Sequence, residues 1–204
     1  MLEKQYLGIN VLEAAQQRIS FVFDTFPRIY VSFSGGKDST VMLHLVMAEA
    51  IRRNRRVGIL FVDLEGQYRL TIDHIQAMYD RYANHVEPFW VALPIALRNA
   101  VSQYEPKWTC WESGRENDWI RRPPPMAITD HQHFPFYHYA MEFEEFVPLF
   151  GDWYAQEQLC ACFVGIRTAE SLNRWRTIAG HGTKFEGRNW VGHVMKSVWN
   201  VDPI

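Results

Sequence analysis

The sequence is poor in the features that mark several large protein classes. It has three cysteines in 204 residues, Cys110, Cys160 and Cys162, and no Cys-x-x-Cys pair. An odd, scattered set argues against a disulfide framework and against a tetrathiolate zinc or iron–sulfur site. A reducing compartment fits best. No apolar stretch reaches the ~18–20 residues of a membrane span. The N-terminal Met1-Leu2-Glu3-Lys4-Gln5-Tyr6 lacks the apolar core of a signal peptide. The chain therefore reads as a soluble cytosolic protein. Net charge is nearly absent as well: 21 basic residues face 23 acidic ones, for a formal charge of -2. Such a balance provides no global field to draw in nucleic acid or a membrane surface. One local basic run, Arg52, Arg53, Arg55 and Arg56, reads either as a solvated helix end or as a nucleic-acid contact.

What the chain does have is ordinary globular bulk and many rings. A length of 204 residues with 48% hydrophobic content suits one domain, residues 1–204, with a sizeable core. Aromatics reach 15%, with eight tryptophans, so some rings are expected to line a ligand pocket or a partner surface.

The chain is organised around Ser34-Gly35-Gly36-Lys37-Asp38-Ser39-Thr40. A β-type run, Arg28 to Phe33, precedes it, and an apolar helical run, Val41 to Ala48, follows. A strand, a glycine turn and a helix N-terminus form an anion site, because free first-turn N–H groups and the helix dipole face the anion. Lys37 adds a full charge, and Ser34, Ser39 and Thr40 add hydroxyl donors. The expected ligand is a phosphate or pyrophosphate. The spacing differs from a Walker A loop, which places four residues between its first glycine and the Gly-Lys pair.

The remaining elements alternate. Asn10 to Phe26 has helical periodicity with Asn10 as N-cap, and Pro27 ends it. Val57 to Val62 is an uninterrupted apolar run, as in a buried parallel strand. It ends at Asp63-Leu64-Glu65. Carboxylates at that end would hold Mg²⁺ or accept from a ribose or adenine, or else are solvated loop acids. Tyr68 to Ala83 reads as a helix with Leu70, Ile75, Met78 and Tyr82 inward, and Glu87 to Leu93 as the third strand. Residues 94–147 break the alternation and read as an insertion that covers the anion site or shapes a substrate pocket. His131 and His133 within it make a poor zinc pair. Glu142 to Gln158 reads as helical, interrupted near Pro148 and Gly151, and Leu159 to Ile166 as a buried strand. Cys160 and Cys162 share one face of that strand as small core residues. The glycine-rich 179–193 segment reads as a hairpin or flexible loop, and Val194 to Val201 as a final strand. Four strands alternating with helices imply a doubly wound α/β domain with a mostly parallel sheet.

The first motif resembles the PP-loop, Ser-x-Gly-Gly-x-Asp-Ser, of the adenine nucleotide α-hydrolase-like superfamily. That superfamily includes N-type ATP pyrophosphatases, ATP sulfurylase small subunits and phosphoadenosine phosphosulfate (PAPS) reductases. A second stretch, Gly165-Ile166-Arg167-Thr168-Ala169-Glu170-Ser171-Leu172-Asn173-Arg174, resembles another motif of the PAPS reductase family. If it is helical, Arg167, Glu170, Ser171 and Arg174 share a face. Glu170 and Arg174 then form either a surface ion pair or, as the resemblance implies, part of a nucleotide-facing surface. The insertion and the Phe61-Val62-Asp63-Leu64-Glu65-Gly66-Gln67-Tyr68 strand end are similar to PAPS reductase-like proteins related to the immunoglobulin-binding regulator of enterobacteria and their phages.

The resemblance implies an adenine nucleotide ligand: ATP, PAPS or adenosine phosphosulfate. It implies binding through Ser34, Gly35, Gly36, Lys37, Asp38, Ser39, Thr40, Asp63, Glu65, Arg167, Glu170, Ser171 and Arg174. Mg²⁺ would bridge to Asp38 or Asp63, and no iron–sulfur cluster is expected. The family's reductases use a cysteine in a C-terminal Glu-Cys-Gly-x-His segment, and this sequence has none. The chain stops at Asp202-Pro203-Ile204, where reductase-like sequences continue into more helix, so a short or truncated member is expected. Two functions follow. One is ATP α–β cleavage with adenylyl transfer, in which Lys37, Asp38, Arg167 and Arg174 act on the phosphates. The other is a non-catalytic nucleotide-binding regulatory subunit whose partner protein, a DNA-binding regulator, reads the bound state.

Overall fold

The computed structural model describes residues 8–166, Leu172, Arg176, and the backbone of residues 184–188 and 194–201. Helix α1, Val11–Thr25, opens on a capping box: the Asn10 side chain accepts from Glu13 N at 2.9 Å, and Glu13 reaches back to Asn10 N. Strand β1 is Arg28–Ser32, α2 is Lys37–Arg52, β2 is Val57–Val62, α3 is Arg69–Arg81 and β3 is Val86–Val91. After an excursion, α4 is Phe143–Ala155 and β7 is Cys160–Val164, and two further strands are β8, Lys184–Arg188, and β9, Val194–Val201. The excursion itself carries β4, Ile95–Arg98, β5, Lys107–Cys110, and β6, Met141–Glu142.

Among the described residues, the main sheet has the order β3-β2-β1-β7-β9-β8. Every pairing in it is parallel except β8 with β9, which pair antiparallel as a hairpin. The expected mostly parallel α/β sheet is present. β1 is central, between β2 (Tyr30 opposite Gly58) and β7 (Tyr30 opposite Cys162). Successive residues along a strand point to opposite faces. Ile29, Val31, Ile59, Phe61, Ala161 and Phe163 therefore meet α1, α2 and α3 in one core. Tyr30, Leu60, Cys160 and Cys162 meet α4 and the excursion in a second core. The expectation that Cys160 and Cys162 share a buried face is met. Among the described residues no helix is long and apolar enough to cross a membrane.

Two sequence expectations are corrected here. Leu70 is 82% exposed. At 3.6 residues per turn it lies about 140° around α3 from Ile75, off the face that Ile75, Met78 and Tyr79 bury. Helix α4 runs unbroken through Pro148 and Gly151. Proline removes only the bond to the carbonyl of Glu144, an exposed first-turn residue where water can replace it. The arginine run at the end of α2 is consumed internally. Arg55 donates to the carbonyls of Phe23, Phe26 and Pro27, Arg56 to that of Val86, and Arg52 and Arg53 pair with Glu49. Those guanidiniums tie the end of α1 and the start of β3 to the sheet, while Arg52 and Arg56 remain exposed.

Gly58 tests how tightly the second core closes. A Cβ on it would stand 2.9 Å from Tyr154 Cζ and Oη and 2.9 Å from Tyr30 Cβ. Tyr154 cannot step aside freely, because its hydroxyl donates to the carbonyl of Ile29 at 3.1 Å. Gly58→Ala is expected to destabilise the protein by about 1–3 kcal/mol, the usual cost of overpacking. A urea midpoint equal to the wild type's would refute this account of the β1–β2–α4 junction.

Candidate functional site

β1 ends at Ser32, and the chain turns through Phe33–Gly36 into α2 at the carboxyl edge of the sheet. The Phe33 amide donates to the carbonyl of Leu60 at 2.9 Å, so the turn begins in register with β2. Gly35 takes φ +75°, the left-handed region where a Cβ is costly. It also lies against α3: a Cβ there would come within 2.8 Å of Ile75 Cδ1 and 3.0 Å of Thr71 Cγ2. Gly36 is the N-cap of α2, with φ -75° and ψ 164°, and no side chain caps the helix. The first-turn amides of α2 thus open onto a glycine rather than a capping oxygen. Of the two glycines, Gly35 supplies both the unusual dihedral and the close approach to α3, and Gly36 leaves the start of α2 uncapped.

The hydroxyls of the turn are knitted together. Ser39 Oγ lies 3.0 Å from the Gly36 carbonyl and 3.0 Å from Ser34 Oγ, and Thr40 Oγ1 lies 2.8 Å from the same carbonyl. His74 of α3 brings Nε2 to 2.9 Å from Thr40 Oγ1. Ser39 is buried, while Ser34 and Lys37 are exposed and Asp38 is half-buried. Lys37 has no ion-pair partner among the described residues. Behind the turn stands Gly165, just past β7. A Cβ on it would be 3.0 Å from Ser39 Cα and 3.1 Å from Ser39 N.

Beside the turn, between the carboxyl ends of β1 and β2, is a cavity of about 170 Å³. Leu60, Val62, Phe143 and Val147 give it apolar walls, and Ser34 and Gln67 give it polar ones. Gln67 Oε1 is buried and accepts no hydrogen bond. An unmet acceptor in an apolar slot favours a flat ligand with an N–H donor on its edge.

The two acids at the end of β2 are turned into the protein. Asp63 is fully buried: its carboxylate accepts from Glu65 N at 2.9 Å, from Trp90 Nε1 at 2.8 Å and from Arg121 Nη2 at 2.5 Å. Glu65, 4% exposed, accepts from Trp111 N at 2.7 Å and Ile120 N at 3.0 Å. The Arg121 guanidinium lies over the Trp111 ring, 5.0 Å from its centroid, and Trp111 Nε1 donates to the Asp63 carbonyl. These carboxylates neither face a ligand nor lie solvated in a loop. They pin the 94–147 excursion to the edge of the sheet. Asp63 therefore does not fit the role of a magnesium ligand paired with Asp38, and among the described residues no cluster of three or more metal-ligating side chains occurs. His131 and His133 belong to no such cluster either.

Among the excursion's rings, Trp111 and Phe134 are fully buried, whereas Tyr104, Trp108 and Tyr139 are exposed. All three cysteines are buried and free. Burial pushes the thiols of Cys110 and Cys162 up to about 12 and raises that of Cys160 further, so none offers a thiolate near neutral pH. Arg167, Glu170, Ser171 and Arg174 lie outside the described residues. The chain reaches them from Gly165 and Ile166, directly behind the turn. Gln67, His74 and Arg121 are site-shaping residues that periodicity could not single out. Only Gln67 carried a signal, its place just past an apolar strand.

Two variants test this geometry. Asp63→Ala leaves the part-buried Arg121 without its counter-charge and is expected to cost about 3–5 kcal/mol. Limited proteolysis should then cut the 94–147 excursion first, and a stable, uncut variant would remove Asp63 from its pinning role. Gly165→Ala pushes on Ser39 and is expected to weaken oxyanion binding at the turn while leaving the circular dichroism spectrum unchanged; unaltered phosphate affinity would show that this contact has slack.

Comparison with known proteins agrees with this geometry. Residues 28–179 match the phosphoadenosine phosphosulfate reductase domain. The chain is also 46% identical over 174 residues to the uncharacterized protein YbdN of Escherichia coli (strain K12). That alignment covers 85% of this chain and 42% of YbdN, so the chain spans less than half of that relative. With the match running from β1 through the PP-loop, the excursion and β7 into the segment that follows, the chain belongs to the phosphoadenosine phosphosulfate reductase domain family.

Proposed function

We propose that this protein binds an adenine nucleotide, with its phosphates on the Ser34–Thr40 turn and its base in the cavity beside Gln67, and cleaves ATP between the α- and β-phosphates. The observation that carries the reading is the adjacency of two unmet demands. The glycine-capped start of α2 with Lys37 asks for an oxyanion, and Gln67 Oε1 asks for a donor such as an exocyclic amine.

In the reaction, a nucleophilic acceptor attacks the α-phosphorus. The bond from that phosphorus to the bridging oxygen breaks, pyrophosphate leaves with the electron pair, and AMP stays on the acceptor. Negative charge grows on the leaving oxygens, where Lys37, the first-turn amides of α2 and the Ser34 hydroxyl are disposed to stabilise it. The family resemblance adds Arg167 and Arg174 to that role. Reduction of a sulfonucleotide is a weaker reading, because this chain has no accessible thiolate to form a covalent sulfur intermediate. Asp63, already accepting from Arg121 and Trp90, does not act on the phosphates.

A second reading has its own support. With Asp63 closed off and the thiols buried, a subunit that binds the nucleotide without turnover and signals to a partner protein also fits these features. Product analysis separates the two. Incubation with ATP and Mg²⁺ is expected to release AMP and pyrophosphate. Binding without products favours the regulatory subunit, and release of ADP and phosphate excludes α–β cleavage.

Affinity reports on the site itself. A thermal-shift series with ATP, PAPS and adenosine phosphosulfate is expected to single out one ligand, since binding at 100 times Kd adds ~2.7 kcal/mol of apparent stability. Lys37→Ala removes an exposed charge that supports no fold contact, so its melting temperature should hold. Its nucleotide affinity should fall roughly ten- to a hundredfold, the worth of a charge-assisted contact. Calorimetry giving wild-type affinity would take Lys37 out of the site.

A further inference from the structure

The clefts on the two sides of α2 differ in how their charge is settled. On the α1 side lies a cleft of about 460 Å³ whose lining includes Leu45, Glu49 and Arg52. There Glu49 pairs with Arg52 at 2.5 Å and with Arg53 at 2.6 Å, so each cation meets a carboxylate. On the α3 side lies a cleft of about 580 Å³, a size that suits a small molecule. α2 lines it with His44, Ala48 and Ile51, α3 with Arg81, and the turn that follows with Tyr82, Asn84 and His85. Among the described residues no carboxylate lines it.

The polar groups around this second cleft have spare bonding capacity. Arg81 makes no ion pair among the described residues, and its guanidinium rests over the Tyr82 ring, 5.7 Å from the centroid. His44 Nδ1 lies 2.5 Å from the Tyr82 hydroxyl, which leaves Nε2 without a partner among the described residues. The side chains of Asn84 and His85 make no hydrogen bond among them either. His44 registers a positive potential here: burial lowers its pKa, and the charges of Arg81 and His74 lower it further. Arg81 stands in the last turn of α3, where a cation complements the helix dipole. That role accounts for the one charge, but not for two imidazoles and a carboxamide set around the same space. Ala48 and Ile51 are both exposed and give the cleft an apolar floor.

We propose that the cleft between α2 and the end of α3 is a second ligand site, which takes a small organic oxyanion with an apolar body. Arg81 supplies the fixed charge, His44 Nε2, Asn84 and His85 supply hydrogen-bond donors, and the body of the ligand lies on Ala48 and Ile51. An imidazole that meets an anion keeps its hydrogen on the nitrogen that faces it, so His44 can donate without becoming charged. The site is separate from the Ser34–Thr40 turn. At 1.5 Å per residue, Ala48 stands about 16 Å along α2 from Lys37. The inference therefore does not depend on the nucleotide reading.

The test follows the imidazole signals of His44 and His85 in long-range ¹H–¹⁵N spectra of the full chain. Phenyl phosphate, benzoate and inorganic phosphate are the probes. Both imidazoles are expected to shift saturably with phenyl phosphate or with benzoate, and the two probes tell a phosphate head from a carboxylate. Inorganic phosphate, which lacks the ring, should bind more weakly. Arg81→Gln should lower the affinity about tenfold, the lower end for a hydrogen bond to a charged group, because Arg81 is exposed. Lys37→Ala should leave the His44 and His85 titration as it is in the wild type. Wild-type imidazoles that respond to neither organic probe overturn the proposal with no variant needed. So do shifts that survive Arg81→Gln and vanish in Lys37→Ala, which would place the anion on the turn. Inorganic phosphate binding as tightly as phenyl phosphate would overturn the role of the apolar floor. Failure of ATP to bind at the turn would sink the nucleotide reading and leave this site standing.

Discussion

A buried carboxylate fixes the working edge of this molecule. Asp63 sits at the carboxyl end of β2 with no exposure, and four residues donate to it: Trp90 from β3, Glu65 from its own loop, Arg121 from the excursion, and Trp111, also of the excursion, on its carbonyl. A charge in that position is tolerable only while its donors stay in place. Glu65 repeats the device by accepting two backbone amides of the excursion. Some fifty residues with little periodic structure are thereby held against the sheet, and the wall of the cavity beside the PP-loop is set.

The PP-loop obeys a different constraint, the close approach of backbones. Gly35 yields space to α3, Gly165 yields space to Ser39, and Gly36 leaves the start of α2 uncapped. An anion site of this kind needs amides free of side-chain caps and a rigid frame around them. α3 supplies part of that frame through Thr71, Ile75 and His74, so a helix outside the Ser34–Thr40 motif shapes one end of the proposed nucleotide site. Gln67 does the same for the other end.

Much of this architecture was legible in the chain. The uninterrupted apolar runs gave β2 and β7 within a residue or two, because a strand covered on both faces must be apolar throughout. Asn10 marked the start of α1 as an N-cap, and the structure adds the reciprocal bond from Glu13. Pro148 and Leu70 misled for one reason: a local rule was outweighed. Packing of α4 overrides the single bond that proline removes, and the first turn of α3 extends beyond the face it buries.

The sequence by itself determined the class of the fold and the place of the glycine turn, because periodicity, glycine pairs and a lysine at a helix start are local properties. It also showed, by counting, three cysteines and no Cys-x-x-Cys spacing. Only the tertiary structure decided the direction each polar group faces. Asp63 and Glu65 stand where ligand-binding acids commonly stand, yet the donors they meet come from residues 48 and 58 positions further along the chain. His74 lies mid-helix and is tied to the PP-loop by a bond across 34 residues. Such partners are set by how the sheet, α3 and the excursion pack, and no window of neighbouring residues contains that information.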